Sequence, residues 1–360
     1  MHSKIEELLK LAVANQASDL HLAVGMPPRL RVNGELVEVT NWAVASDDEY
    51  NGMILSILDE KQKERFLADR EMDFSLAMAE ARFRVNIYFQ KGRTAAAFRV
   101  VPVEIPQLDT LGLPEVIRSF IKLKQGFILM TGPTGHGKST TLASLLNEIN
   151  KSQAKHIVTV EDPVEYVISP LKSIISQREL GYDTNSFALA LRSALRQDPN
   201  VVLVGEMRDL ETISSALTIA ETGHLVFSTL HTNSATQTID RVIDVFPEGS
   251  KEQIRIQLAE VITAVLSQRL VPTLDGKRRP AVEVLIATPA VKNCIREGKT
   301  FMIDNIIQTS VDVGMMNMET SLAAMVRAGM ISEEVALSYC LRPGELQDRL
   351  RKTRSENAQI

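Results

Sequence analysis

The stretch Gly132-Pro-Thr-Gly-His-Gly-Lys-Ser139 decides how the rest of the chain is interpreted. It has the spacing of a phosphate-binding loop, with glycines at its first and sixth positions and a Lys-Ser pair at its end. The apolar run Phe127–Thr131 precedes it and is typical of a buried parallel strand. Thr140–Asn147 follows it with leucines spaced for one helix face. The sequence therefore predicts a strand, a glycine-rich loop and a helix, the context that the motif requires.

Each residue type in this stretch has a physical reason to be there. Glycines let backbone N–H groups approach phosphate oxygens with no Cβ in the way, and the helix N-terminus adds partial positive charge. Lys138 is predicted to contact the β- and γ-phosphates, and the Ser139 hydroxyl to bind Mg²⁺. We therefore expect ATP and Mg²⁺ as cofactors. The predicted nucleotide-binding residues, called the P-loop below, are Gly132, Pro133, Thr134, Gly135, His136, Gly137, Lys138, Ser139 and Thr140.

Composition excludes several other classes of protein. The net charge of −5 gives no overall basic signal for nucleic acid, so we expect no nucleic-acid partner. No apolar run approaches the roughly 20 residues of a membrane span, and the N-terminus is too polar for a secretory signal. The two cysteines, Cys294 and Cys340, form no CxxC pair, which argues against structural zinc or a disulfide scaffold. These features predict a cytoplasmic protein.

Pattern changes along the 360 residues predict three folded parts and a linker. Residues 1–101 read as a small α+β domain with an antiparallel sheet, including a hairpin around Asn33-Gly34. Residues 102–114 carry three prolines and read as a linker. Residues 115–288 alternate apolar strands with helices, which predicts a doubly wound parallel sheet; within them Ile254–Leu270 is expected to be a helix. Residues 289–360 are predicted to be helical.

Carboxylates follow two of the predicted strands. Val202-Leu-Val-Gly-Glu206 has the shape of a Walker B strand, whose acid lies beside the phosphates and Mg²⁺, so Glu206 and Ser139 are the predicted metal ligands. Glu161 and Asp162 end another strand, where a carboxylate could orient and polarise the attacking water. Acids at ordinary strand ends or in an acidic turn are the alternative interpretations.

His231 ends a further strand, in Ser228-Thr-Leu-His-Thr-Asn233. A histidine at this position could sense the γ-phosphate or couple the nucleotide state to a neighbouring subunit. A lone histidine is more often structural, and on the residues alone that interpretation is favoured.

Arg84 and Arg99 lie on two adjacent predicted strands of the small domain, separated by a turn at 90–93. An isolated arginine normally belongs to a solvated face. The guanidinium group nevertheless suits phosphate oxygens, so this pair could reach ATP across a subunit boundary as arginine fingers.

Taken together these motifs resemble the secretion and type IV pilus ATPases. The resemblance rests on four boxes: 132–139, the acid box Glu161–Glu165, the Walker B stretch Val204–Asp209 and the histidine box Thr229–Asn233. Within that superfamily the chain looks like the pilus retraction motors of the PilT type. Supporting stretches are Ser18–Leu22, Arg82–Asn86, Ala190–Pro199 and Ile295–Lys299.

This resemblance implies a homohexameric ring of subunits that each have a PAS-like N-terminal domain and a RecA-like ATPase domain with a helical C-terminal part. It implies Glu161 as general base, Glu206 as the Walker B glutamate and His231 as the histidine-box residue. Arg84 and Arg99 match the family's arginine fingers. The implied function is pilus retraction and twitching motility, at the inner membrane through a PilC-like platform protein. A PilU-type paralogue is a further implied partner.

Departures from the family pattern are few, and His136, in place of the usual serine, is one of them. The chain lacks the cysteine cluster and the long N-terminal domain of assembly-type relatives, which favours the retraction type. Three alternatives stay open: a PilU-type accessory ATPase, another secretion-system ATPase, and a nucleic-acid translocase. Charge and the lack of aromatic-basic clusters count against the translocase.

Overall fold

The computed structural model describes residues 2–32, 34–40, 42, 46–78, 81–101 and 104–357, with side chains described up to residue 351. The chain divides into two compact units. The first comprises Met1–Glu104 with Pro163–Val167, and the second Ile105–Asp162 with Ile168–Ile360.

The first unit is an α+β fold around a six-stranded sheet of order β3-β2-β1-β6-β5-β4, in which every described pair is antiparallel. Its core packs α1 and α2 on the sheet through fully buried side chains such as Leu9, Tyr50 and Phe98. The elements are α1 (Ser3–Ala14), β1 (Asp19–Ala23), β2 (Arg29–Val32), β3 (Glu35–Glu38), α2 (Asp47–Leu55), α3 (Glu60–Asp69), β4 (Glu71–Ala77), β5 (Arg82–Gln90) and β6 (Arg93–Val101).

The structure contains most of the elements predicted for the small domain. The antiparallel sheet is present, and β2 pairs with β3 as the predicted hairpin requires. Asn33, the first turn residue, lies outside the described residues. The capped helix α3 and the edge strand β4 are not among the predicted elements.

The second unit is built on a seven-stranded sheet of order β13-β12-β7-β11-β10-β8-β9. Its strands are β7 (Gly126–Thr131), β8 (His156–Glu161), β9 (Ile174–Glu179), β10 (Val201–Val204), β11 (Leu225–Leu230), β12 (Ile262–Pro272) and β13 (Arg278–Ile286). The helices up to β13 are α4 (Val116–Ser119), α5 (Lys138–Ser152), α6 (Phe187–Ala194), α7 (Leu210–Glu221), α8 (Ala235–Asp244) and α9 (Lys251–Val261). After β13 come α10 (Pro289–Arg296), α11 (Ile303–Thr309), α12 (Met318–Arg327), α13 (Glu333–Tyr339) and α14 (Pro343–Asn357), so the predicted helical C-terminal region is present.

This sheet is parallel from β12 to β9, and β13 adds one antiparallel edge. The predicted α/β class is therefore confirmed, with that one addition. The predicted helix Ile254–Leu270 is wrong in its second half, because α9 ends at Val261 and β12 begins at Ile262. A short apolar run fits both periods, and here pairing with β7 and β13 decides for the strand.

A buried acid ties β13 to the start of α8. Glu283 is fully buried, and its Oε1 accepts the backbone N–H of Ala235 at 2.8 Å. Its other oxygen, Oε2, finds no hydrogen-bond partner among the described residues. Burial raises the pKa of Glu283 to about 7; nearby Asp304 and Glu319 add to the rise, while the Ala235 N–H and Arg342 oppose it.

We expect Glu283→Gln to stabilise the protein at pH 8 but not at pH 5. Between its usual pKa of 4.5 and about 7 the native state holds one more proton than the unfolded state, so stability falls as pH rises through that window. Glutamine keeps the acceptor for Ala235 and removes the buried charge, a gain on the order of 1–3 kcal/mol at pH 8. Melting temperatures at both pH values test this. Glu283→Ala, the control, should destabilise at both, and an equal effect of Glu283→Gln at both would contradict the expectation.

Candidate functional site

The P-loop begins where the fully buried strand β7 ends. Gly132 has a φ of 135°, and a Cβ there would lie 2.2 Å from the backbone oxygen of Gln268 on β12, so no other residue fits without a shift. Gly137 has a φ of 81° and is the N-cap residue of α5. The sequence thus builds a tight loop that delivers the chain to the N-terminus of a 15-residue helix.

Lys138 bends back over this loop. Its side chain is only 7% exposed, and its Nζ donates to the carbonyl oxygens of Gly132 at 2.7 Å and Pro133 at 2.9 Å. The ammonium group, the loop backbone and the N-terminus of α5 therefore lie together, and they form a positively polarised cradle suited to an anion.

Three predicted site residues lie at or just beyond the carboxyl ends of β8, β10 and β11. Strand order places β11, which precedes His231, between β7 and β10, and β10 leads into Glu206. Glu161 ends β8, the next strand. Gly205 donates its N–H to Val160 at 2.8 Å, and a Cβ on it would lie 3.1 Å from the Glu161 Cα. The small residue therefore lets the two acid-bearing strand ends approach closely.

His231 bridges the P-loop and the acid of β10. Its Nδ1 lies 3.4 Å from Thr134 Oγ1, and its Nε2 lies 3.2 Å from Glu206 Oε2. The other oxygen of Glu206 pairs with Arg208, and the Glu206 side chain is 14% exposed. A continuous polar chain thus runs from the P-loop through the imidazole to a largely buried carboxylate.

Glu161 is held by its own strand and by the edge strand. Its Oε1 accepts from Thr159 Oγ1 at 2.6 Å and from Gln177 Nε2 on β9 at 3.2 Å. These contacts fix one carboxylate oxygen in place. A fixed carboxylate at this sheet edge can accept a proton from a bound water.

Strand β12 supports the P-loop from the side, a role that the sequence does not predict. Gln268 accepts from Thr141 Oγ1 at 2.9 Å and donates to the carbonyl oxygen of His136 at 2.8 Å. Ser267 shares a 2.8 Å hydrogen bond with Thr131. These residues lie in the segment that was expected to be helical. Arg208 was missed too, although its Glu206-Met-Arg-Asp209 context signals it.

An open pocket of about 250 Å³ lies beside the P-loop. It is bounded by Gly137, Thr140 and Thr141 on the loop side and by Thr110 and Leu111 before β7. The remaining wall comes from β12, β13 and the turn between them and includes three consecutive cationic residues; its members are Gln268, Leu270, Lys277, Arg278, Arg279 and Pro280.

Arg84 and Arg99 are directly opposite each other on β5 and β6 of the first unit. Asp19 on β1 is the partner of Arg99 on the other side, and its Oδ1 accepts from Arg99 Nε at 2.9 Å. The structure therefore brings the two arginines together and orients one through a carboxylate that is 10% exposed. The P-loop, Glu161, Glu206 and His231 all lie in the second unit.

No group of three or more histidine, cysteine or acidic side chains among the described residues forms a metal site. Magnesium in phosphoryl-transfer sites needs only one or two protein oxygens, because phosphates and water complete its shell. Ser139, in the first turn of α5, and Glu206 each carry a side-chain oxygen of this kind. No helix within the described ranges is both long and apolar enough to cross a bilayer.

A glycine loop between a buried strand and a helix, with a folded-back lysine and acids on neighbouring strands, defines the chain as a P-loop nucleotide-binding protein. Residues 1–333 match the family model described as "Type II/IV secretion system protein". The chain belongs to that family.

Individual relatives align with this chain over most of their length. The type IV pilus retraction ATPase PilT of Pseudomonas aeruginosa is 45% identical over 329 residues, 91% of this chain and 95% of that protein. The type IV pilus ATPase PilU of the same species is 36% identical, over 93% of this chain and 88% of that protein. A crystal structure of the pilus retraction motor PilT with bound ADP superposes with a TM-score of 0.89 at 43% identity, covering 95% of this chain and 98% of that one.

Proposed function

We propose that this protein is an ATPase that powers type IV pilus retraction, the activity underlying twitching motility. The observation that carries the proposal is the polar chain from Thr134 through His231 to Glu206 at the carboxyl edge of the sheet. It joins the P-loop to the acid that the chemistry needs. The high similarity to a PilT protein over nearly the whole chain supplies the biological context.

Within this proposal the P-loop residues 132–140 bind the phosphates. Lys138 leaves its two loop carbonyls for the β- and γ-phosphates, and the loop N–H groups hold the oxygens. Ser139 and Glu206 would hold Mg²⁺, which when bound would neutralise developing phosphate charge. His231 keeps Glu206 oriented and reports the state of the P-loop through Thr134.

Glu161 acts as general base in this scheme. Thr159 and Gln177 donate to one of its oxygens and hold the carboxylate in one orientation, from which it can accept a proton from the attacking water. Its position on β8, next to the strand that leads to Glu206, lets one acid serve the water while the other serves the metal.

The nucleoside occupies the pocket beside Gly137 and Thr140. Phosphates bound at the N-terminus of α5 would direct the ribose and base towards Thr110 and Leu111 on one side and β13 on the other. Lys277, Arg278 and Arg279 would add positive potential near the triphosphate.

The functional unit is a homohexamer in which Arg84 and Arg99 act on the neighbouring subunit's nucleotide.

Each subunit has the domain division proposed from the sequence: a PAS-like domain at 1–101, a linker at 102–114, a RecA-like core at 115–288 and a helical region at 289–360. A PilC-like platform protein would hold the cytoplasmic ring at the inner membrane, and a PilU-type paralogue would be a second partner.

A PilU-type accessory role is the second candidate, and the 45% identity to PilT against 36% to PilU favours the first. Complementation of a strain that lacks all retraction ATPases distinguishes them. Restored twitching from this chain alone supports the retraction motor. Restoration only together with a PilT protein that does not restore twitching by itself identifies an accessory ATPase, and ATPase stimulation by DNA would point to a translocase.

Glu206→Ala should bind ATP with nearly normal affinity but hydrolyse it at least about 10²-fold more slowly. The loop amides and Lys138 remain, whereas metal and water positioning are lost. Equilibrium binding and phosphate release measured side by side test this. Asp209→Ala is the matched control, because Asp209 caps α7 through Thr212. Unchanged turnover in Glu206→Ala would contradict the role of this acid.

A further inference from the structure

His136 accepts two hydrogen bonds from β12 that have no part in the proposed phosphate chemistry. It lies between two left-handed glycines of the P-loop, Gly135 with a φ of 78° and Gly137 with a φ of 81°. Its Nδ1 accepts the backbone N–H of Leu270 at 3.0 Å, and its carbonyl oxygen accepts from Gln268 Nε2 at 2.8 Å. The residue is thus tied to β12 twice, once through its ring and once through its backbone.

The hydrogen bond between Leu270 and His136 Nδ1 lies just beyond the point where β12 stops pairing with β7. β7 pairs with β12 as far as Thr131 and Ser267, after which β7 turns into the P-loop while β12 continues to Pro272. On its other side Leu270 is opposite Pro280 of β13. The imidazole therefore provides the acceptor that a neighbouring strand would have provided, beyond the point where β7 departs.

We propose that His136 is a positioning residue for nucleotide binding, whose neutral imidazole fastens the P-loop to β12 and holds it in its phosphate-binding shape. The inference rests on the proposed role of Gly132–Thr140 as the phosphate-binding loop. Only the neutral ring with its proton on Nε2 can accept at Nδ1, because both nitrogens of an imidazolium donate.

Groups around the ring keep it neutral at physiological pH. Burial lowers the pKa of His136 below its usual 6.5, and the cations Arg269, Lys138 and Arg278 lower it further. The other titratable group that faces the ring is Tyr339, with ring centroids 6.4 Å apart. The fastening is therefore present at neutral pH and is lost as pH falls through the lowered pKa, when Nδ1 gains a proton and a cation appears beside Lys138.

Replacing His136 with asparagine or with glutamine tests the two ring nitrogens one at a time. In the variant His136→Asn the side-chain oxygen would stand at the position of Nδ1 and accept from Leu270 without titrating, so this variant keeps the fastening. His136→Gln extends its amide to the position of Nε2 instead. Affinity for fluorescent mant-ADP should be measured with the full chain from pH 5.5 to 8. Dividing the wild-type Kd by that of His136→Asn at each pH removes the titration of the nucleotide itself.

We expect a ratio near one at pH 8 that rises by a few fold as the pH falls to 5.5, and a His136→Gln affinity about tenfold weaker than wild type at pH 8. A ratio independent of pH, tighter wild-type binding in acid, or normal binding by His136→Gln would overturn the inference. Lys138→Ala is the arm that tests the loop's role. If it binds mant-ADP as wild type does, the phosphate-binding role itself fails; if it does not bind while the ratio stays flat, only the role of His136 fails.

Discussion

Replacing Lys138 with alanine is expected to abolish ATP hydrolysis while the chain stays folded. The side chain lies over the P-loop and donates to the carbonyl oxygens of Gly132 and Pro133, so its charge already lies at the proposed phosphate site. Removing a preorganised charge that stabilises the transferring phosphoryl group costs about 10²–10³-fold or more in rate. Alanine is the strongest helix former, and the start of α5 therefore tolerates it.

The matched control is Lys151→Ala, which removes an exposed lysine from the last turn of the same helix. Phosphate release should be unchanged in this control and undetectable in Lys138→Ala, with similar melting temperatures for both. Substantial hydrolysis by Lys138→Ala would remove the central assignment of the site. A melting temperature far below that of Lys151→Ala would show that Lys138 is needed for packing instead.

Local sequence was sufficient where one short stretch carries the whole physical requirement. Gly132 and Gly137 have backbone angles or contacts that no residue with a Cβ accommodates easily, so the pattern of residues 132–139 specified strand, loop and helix together. The central strands β8, β10 and β11 are buried along most of their length and gave continuous apolar runs. A strand covered on both faces has little other composition available to it.

Strands at or next to the edges of the sheet could not be predicted in the same way. β9 mixes isoleucine with Ser176, Gln177 and Arg178 and is mostly half-buried, so its pattern carries little signal. β12 has an apolar spacing that a helix shares, and only its pairing with β7 and β13 fixes it as a strand. Ser267 and Gln268 are not among the predicted site residues for that reason. A segment predicted as a helix gives no indication that it pairs with β7 and lies beside the P-loop.

The contacts of His231 also depend on strand order. The histidine follows β11, and nothing in its own stretch states that β11 lies between β7 and β10. Given that order, the ring reaches Thr134 on one side and Glu206 on the other. From the residues alone a structural role was favoured; the observed bridge is the physical basis for proposing a functional one.

Alanine at Arg84 or Arg99 is expected to leave nucleotide binding intact and to lower turnover of the ring by up to about 10³-fold, the cost of losing an arginine finger. The two residues are cross-strand neighbours in the first unit, and the nucleotide site lies in the second. Arg65→Ala is a suitable control, because Arg65 is an exposed arginine on α3 that pairs with Asp69 at the surface. Its loss should cost little, since exposed ion pairs contribute about 0–1 kcal/mol.

Mixing two inactive proteins distinguishes action on a neighbour from action within one subunit. Glu206→Ala subunits have intact arginines, and Arg84→Ala subunits have an intact acid, so a ring that contains both has one complete site wherever the first kind donates to the second. ATP hydrolysis should then return in the mixture although neither protein is active alone. Subunit exchange must be verified with differently labelled proteins. If exchange occurs and activity does not return, Arg84 acts within its own subunit or only in packing. A cross-subunit mechanism would then lose its support, whereas the P-loop site would be unaffected because it lies entirely within the second unit.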